Sequence, residues 1–179
     1  GNLVVPPGTP AGVYNITYKL CEKLNPLNCD TAVAKVTVDP SPIVAGNDSY
    51  TGINGATGSP NAGNALANDN INGVPATVGS SGNATLAINT PAASIGGAPV
   101  PALDVNTGVV SVPSGTPAGL YVINYKFCEK LNPTNCKDVV ITVTVTVSPL
   151  VATNDNYPGV NGLVGNSNVG NAMTSDTVN

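Results

Sequence analysis

The chain has 179 residues, of which 41% are hydrophobic, 9% charged and 4% aromatic, with a formal net charge of −4. It contains no His and no Trp, which removes the usual general base and the commonest transition-metal ligand. All six basic residues are lysine, so the guanidinium fork is missing, and the acidic balance repels a phosphate backbone.

Low charge with this hydrophobic content does not suit disorder. Gly 20, Pro 16 and many Asn and Thr residues suit short strands separated by turns. No segment has helical periodicity, and no run approaches the roughly 18–20 apolar residues of a membrane-spanning helix. The expected class is all-β.

In chain order, the first strand signal is at residues 14–21. Tyr14, Ile16, Tyr18 and Leu20 alternate with Asn15, Thr17, Lys19 and Cys21, the period of a strand with one buried face. The loop "CEKLNPLNC" at 21–29 follows, with Asn25-Pro26 as turn chemistry. Weaker strand candidates are "PIVAGNDSY" at 42–50 and "NALAND" at 64–69, and a stronger one is "NATLAINT" at 83–90. "LDVNTGVVSVP" at 103–113 reads as a hairpin turning at Asn106-Thr107-Gly108.

Residues 121–128 then repeat the opening pattern, with Tyr121, Ile123, Tyr125 and Phe127 set against Val122, Asn124, Lys126 and Cys128. After "CEKLNPTNC" at 128–136, Val139, Ile141, Val143, Val145 and Val147 share one face. Val140, Thr142, Thr144 and Thr146 share the other with Cys136. Parity therefore puts both cysteines on the solvent side, at facing ends of two strands joined by a short loop. A disulfide across each hairpin mouth, Cys21–Cys29 and Cys128–Cys136, is geometrically natural. A zinc cage or a redox pair needs C-x-x-C spacing, which is absent. Such staples imply an oxidising compartment, with secretion to the periplasm, cell surface or exterior.

The two cysteine loops belong to a larger repetition. At an offset of 107 residues about 40 of the 72 comparable positions are identical, without a gap. All six tyrosines pair this way: Tyr14 with Tyr121, Tyr18 with Tyr125 and Tyr50 with Tyr157. With boundaries at the "SP" segments, residues 43–149 form one complete repeat. Residues 1–42 are then the C-terminal part of one unit and residues 150–179 the N-terminal part of the next. About seven short strands in 107 residues suit an immunoglobulin-like β-sandwich. "GTPAGLY" resembles the tyrosine corner of such sandwiches, carried by Tyr14 and Tyr121. The departures are a missing core Trp and a disulfide that closes a hairpin instead of joining two sheets.

"GTPAGLYVINYKFCEKLNPTNCKDVVITVTV" followed by "NDNYPGVNG", with "NALANDNING", resembles the tandem repeats of large secreted surface adhesins of Bacteroidetes, of the gliding-motility-associated type. The last stretch is also similar to the "LANDT" strand of cadherin-like bacterial adhesin repeats. The resemblance covers essentially the whole chain. It implies export, an extracellular or cell-surface location and a fibrous role, with neighbouring repeats as partners.

Four features of the sequence point to sharper chemistry. Calcium is suggested by the resemblance at Asp48, Asp69, Asp155 and Asp176, but each unit offers few carboxylates and no D-x-D-x-D run, which favours solvated Asx turns. Thr142, Thr144 and Thr146 form a single row, where a lattice-binding face needs several. Asn15, Asn47 and Asn83 head N-x-[S/T] sequons, and "DTA" and "DTV" resemble the Asp-Thr-aliphatic O-glycosylation motif, which would place a glycan on Thr31 and Thr177. No nucleophile–base pair or phosphate loop stands out, so the expectation is a non-enzyme. The expected function is a disulfide-stapled stalk module of a long extracellular fibre or adhesin. The alternatives are a module that binds surface glycans and a subunit that completes its neighbour's sheet by strand donation.

Overall fold

A computed structural model describes residues 1–178, and every regular element in it is a β-strand. The strands are β1 Gly12–Cys21, β2 Cys29–Val38, β3 Ile43–Val44, β4 Asp48–Asn54, β5 Ser59–Asn64, β6 Asn70–Ile71 and β7 Val74–Pro75. They continue with β8 Ala84–Thr90, β9 Ala102–Leu103, β10 Val109–Val112, β11 Gly119–Glu129, β12 Cys136–Thr146, β13 Leu150–Val151 and β14 Thr177–Val178. The chain is all-β.

The buried core lies wholly between Ile43 and Val145. One layer is a four-stranded sheet in the order β4-β12-β11-β8. Its inner face carries Tyr121, Ile123, Tyr125 and Phe127 from β11 and Val139, Ile141, Val143 and Val145 from β12, all at most 3% exposed. Facing them, the small sheets β5-β10-β9 and β3-β6-β7 contribute Val110, Val112, Leu103, Ile71 and Ile43. The strict period of two makes this sandwich possible, because it turns the aromatic residues of β11 and four of the aliphatic residues of β12 to one side. Burying a side chain such as Phe127 stabilises by about 1.5–3 kcal/mol.

Several expectations are corrected by the structure. Val147 does not join the inner face; β12 ends at Thr146, ahead of Pro149, and Val147 is exposed. "NALAND" is a turn rather than a strand, because Asn64 Oδ1 accepts the Leu66 amide at 2.9 Å and the Asn64 carbonyl accepts the Ala67 amide. Residues 43–149 hold ten strands in place of about seven, four of them only two residues long. "PIVAGNDSY" splits into β3 and β4 around Gly46-Asn47.

Both tyrosine corners are formed: the Tyr121 hydroxyl donates to the Pro117 carbonyl and the Tyr14 hydroxyl to that of Pro10, each at 2.8 Å. A glycine is required at Gly63, where a Cβ would overlap the Tyr50 ring. Gly170 stands in the same relation to Tyr157.

Antiparallel pairing sets Cys128 opposite Cys136 and Cys21 opposite Cys29, and each pair is bonded with Cα atoms 4.1 Å apart. Replacing Cys128 and Cys136 together by Ser is expected to cost about 2.5 kcal/mol, the chain entropy of a loop of about nine residues. The loss should be read as a lower urea midpoint at unchanged slope, and an unchanged midpoint would refute it.

Candidate inter-repeat junction

The parallel pairing of β4 with β12 places the Cys128–Cys136 loop at the end of the sandwich where the chain enters, beside Ser41-Pro42. The loop is built locally: the Glu129 amide donates to the Asn135 carbonyl at 3.0 Å and the Asn135 amide to the Asn132 carbonyl at 2.8 Å. The disulfide closes its mouth. The first loop folds in the same way, from Glu22 to Asn28 at 2.9 Å and from Asn28 to Asn25 at 2.8 Å.

The two loops differ in what they hold. Glu129 is buried, and its carboxylate accepts the Ser41 hydroxyl at 2.8 Å, the Ser41 amide at 3.1 Å and the Asn135 side-chain amide at 2.8 Å. Asn135 Nδ2 also donates to the Ser41 carbonyl at 2.8 Å, so the linker serine is bonded through its amide, its hydroxyl and its carbonyl. Asn132, likewise buried, accepts the Ala11 amide on its Oδ1 at 2.6 Å. Ala11 lies just before β1. A single nine-residue loop thus grips both the segment at Ser41 and the approach to β1. Lys130 adds two bonds on the flank, to the Gly79 and Ser80 carbonyls at 2.9 and 2.6 Å.

Burial pushes the Glu129 pKa up, but hydrogen bonds from Asn135, Asn132 and Ser41 outweigh it and hold the carboxyl below its ordinary value. Its equivalent Glu22 is exposed and accepts only from Asn25 at 2.6 Å and Asn28 at 3.0 Å.

This site was not singled out in the sequence. Its signal was there, because Glu129, Asn132, Asn135, Ser41 and Ala11 are all identical to their copies Glu22, Asn25, Asn28, Ser148 and Ala118. The loop position that does change, Leu27 against Thr134, carries none of these bonds.

The sequence candidates are placed as follows. Asp48 and Asp69 come together from β4 and the turn before β6. Both leave a buried Oδ2 with no hydrogen-bond partner. Asp155 and Asp176 are their copies at the 107-residue offset, and the Thr153 amide donates to Asp176 as the Gly46 amide does to Asp69, each at 2.9 Å. The solvated Asx turn expected at Asp69 is corrected, because Asp69 is buried and its Oδ1 accepts the Gly46 amide, while Asn47 Oδ1 accepts the Val140 amide. Among the described residues no three His, Cys, Asp or Glu side chains gather.

Thr142 and Thr146 donate to the carbonyls of Asp48 and Ile53, each at 3.2 Å, so two of the three hydroxyls in the threonine row are engaged with β4. Asn83 Oδ1 accepts the Thr77 amide at 2.8 Å, whereas Asn15, Thr31 and Thr177 are exposed. Among the described residues no helix is long and apolar enough to cross a membrane.

No protein-family model matches the chain, and no curated protein matches it. Among solved structures it is similar to extracellular cadherin domains 3–6 of Protocadherin Gamma B2, at 9% identity and TM-score 0.42, over 84% of this chain and 36% of that one. It is also similar to the Protocadherin gammaB7 EC3-6 cis-dimer structure, at 11% identity and TM-score 0.41, over 90% and 38%. A third is mouse clustered PcdhgC3 EC1-3, at 13% and 0.41, over 79% and 56%. The chain spans well under two thirds of the length of each, and no residue role is carried over from them.

The buried acid pair gives the folded unit an unusual pH response. Burial first, and the charge of Asp69 second, push Asp48 from an ordinary 3.8 up to about 7. Between those values the folded state holds a proton that the unfolded chain releases, so stability falls as pH rises through the window. The lowered pKa of Glu129 acts oppositely, since its contribution is lost only as pH falls below its ordinary range. Thermal melts should therefore show lower stability at pH 8 than at pH 5, by on the order of 2 kcal/mol for this half-buried group. Asp48→Asn should flatten the difference, and a stability maximum at pH 8 in the unsubstituted chain would contradict the assignment.

Proposed function

We propose that this chain is a structural segment of a long extracellular fibre or cell-surface adhesin, a stalk of sandwich units stapled one by one and locked in series. In this reading residues 43–149 are a complete repeat. Residues 1–42 end the repeat before it and residues 150–179 begin the one after, with residue 179 lying outside the described residues. The observation that carries the reading is the grip of Glu129, Asn132 and Asn135 on Ser41 and Ala11. A linker bonded through its amide, hydroxyl and carbonyl does not act as a free hinge, and each buried bond broken costs about 1–3 kcal/mol.

Two supporting features are chemical. The hairpin disulfides suit an oxidising exterior, consistent with secretion. The resemblance of the cysteine loop and the "NDNYPGVNG" segment to Bacteroidetes surface repeats points to the same place. Thr31 and Thr177 are the exposed positions where O-glycans would add a hydrated coat. A glycan-recognition role has less support, because the sandwich turns Tyr50, Tyr121 and Tyr125 toward its own core and leaves no aromatic platform there.

Residual dipolar couplings test the lock. Amides of residues 12–38 and 48–146 should fit one alignment tensor, as for a single rigid body. The pair Asn132→Ala and Glu129→Gln should split them into two tensors while both hairpins stay folded. Two independent tensors in the unsubstituted chain would sink the reading.

A further inference from the structure

The loop that grips Ser41 and Ala11 has no apolar anchor of its own. Its two buried residues, Glu129 and Asn132, are polar, and Leu131 is 42% exposed. A loop with few buried apolar contacts opens at low free energy unless something else holds it. Here the covalent hold is the bond between Cys128 and Cys136, both half-buried on the outer face of the sheet.

The two limbs of the loop are held unequally. On the β11 limb, Cys128 pairs with Thr85 and Glu129 with Ala84 of β8, and the Lys130 amide donates to the Asn83 carbonyl at 2.9 Å. On the β12 limb, pairing with β4 begins only at Ile141. Residues 136–139 have β11 as their strand neighbour, and one surface bond, from Asn89 Nδ2 to Asp138 at 2.9 Å, reaches them from β8. Asn135 leads this limb, and it is Asn135 that bridges the Glu129 carboxylate and the Ser41 carbonyl, each at 2.8 Å. The disulfide ties the weakly held limb to the firmly held one.

We infer that the Cys128–Cys136 bond is a redox latch on this junction. With the bond closed, Asn135 is kept against Glu129 and Ser41, and the junction is fixed. With both cysteines as thiols, the β12 limb releases Asn135 and the junction becomes a hinge. The sandwich stays folded in either state, because Phe127 and Val139 face away from the sulfurs and are at most 1% exposed. Closure is a thiol–disulfide exchange with a donor disulfide. One cysteine thiolate attacks the donor, and the second cysteine displaces it from the mixed disulfide. Two electrons and two protons leave on the donor, which becomes a dithiol. A dithiol reductant runs the same steps in reverse.

The inference rests on the reading of this contact as a lock between units, and its test separates the two. Two amides report the grip directly, Ser41 donating to Glu129 and Ala11 to Asn132. Hydrogen exchange of the full chain, followed by NMR, should show both protected while the bonds are closed. The pair Cys128→Ser and Cys136→Ser leaves Cys21–Cys29 in place. In that variant exchange at Ser41 and Ala11 should quicken roughly tenfold or more, while the protected amides of residues 121–125 and 141–145 keep their rates. Cys128→Ala with Cys136→Val gives the same reading if the serine pair does not fold. Dithiothreitol added to the unsubstituted chain should reproduce the faster exchange at Ser41, and oxidised glutathione should reverse it. Fast exchange at Ser41 and Ala11 with the bonds closed would sink the lock and the latch together. Unchanged exchange when the bond is opened, or a loss that spreads equally to the core strands, overturns the latch alone.

Discussion

A strand pair that turns one strongly apolar face outward cannot be stable alone in water. The β11–β12 hairpin satisfies this constraint by packing against two small sheets, which leaves Tyr125, Phe127, Ile141 and Val143 fully buried. The β1–β2 hairpin has the same register and the same alternation, with 11 of its 20 strand residues identical, yet its residues remain exposed or half-buried. The comparison isolates what a second layer contributes. Local pairing and the disulfide set the shape of the hairpin, and burial of its inner face makes it a core.

The same contrast holds for the polar residues of the cysteine loop. Glu22 and Glu129 sit in loops of one backbone geometry, each capped by two asparagines. Only Glu129 is buried, because only there does a linker serine arrive to share the carboxylate. A buried carboxylate is tolerated when its oxygens are fully hydrogen-bonded, and here three donors do so. The disulfide holds the loop that presents them. The sulfur bridge therefore bears on how the loop meets Ser41 and Ala11 as well as on the hairpin it closes.

The Asp48–Asp69 pair is the opposite case, a half-buried and a buried carboxylate, each with a buried oxygen left over. Such a pair is relieved by a proton, and the raised pKa of Asp48 expresses that relief. It lies just past the linker that Glu129 grips. The stretch from Ser41 to Asp48 thus meets one carboxyl group stabilised as the anion and carries another stabilised as the acid.

The sequence carries the all-β class, the 107-residue period, the cysteines that face one another and the face on which each residue of the long hairpins lies. These follow from near-neighbour rules, because alternation and turn chemistry act over a few residues and repetition is visible without geometry. It placed "NALAND" and Val147 wrongly, since an Asx turn and the strand-ending Ser-Pro outweigh a short apolar pattern. The tertiary structure alone decided that Glu129, Asn132 and Asn135 meet Ser41 and Ala11, up to 121 residues apart. It also decided that Asp48 meets Asp69. Pairing partners at that distance are selected by how the layers stack, and a one-dimensional pattern carries no record of the stacking. Identical loops therefore read alike in sequence, and only their neighbours in space make one buried and the other open.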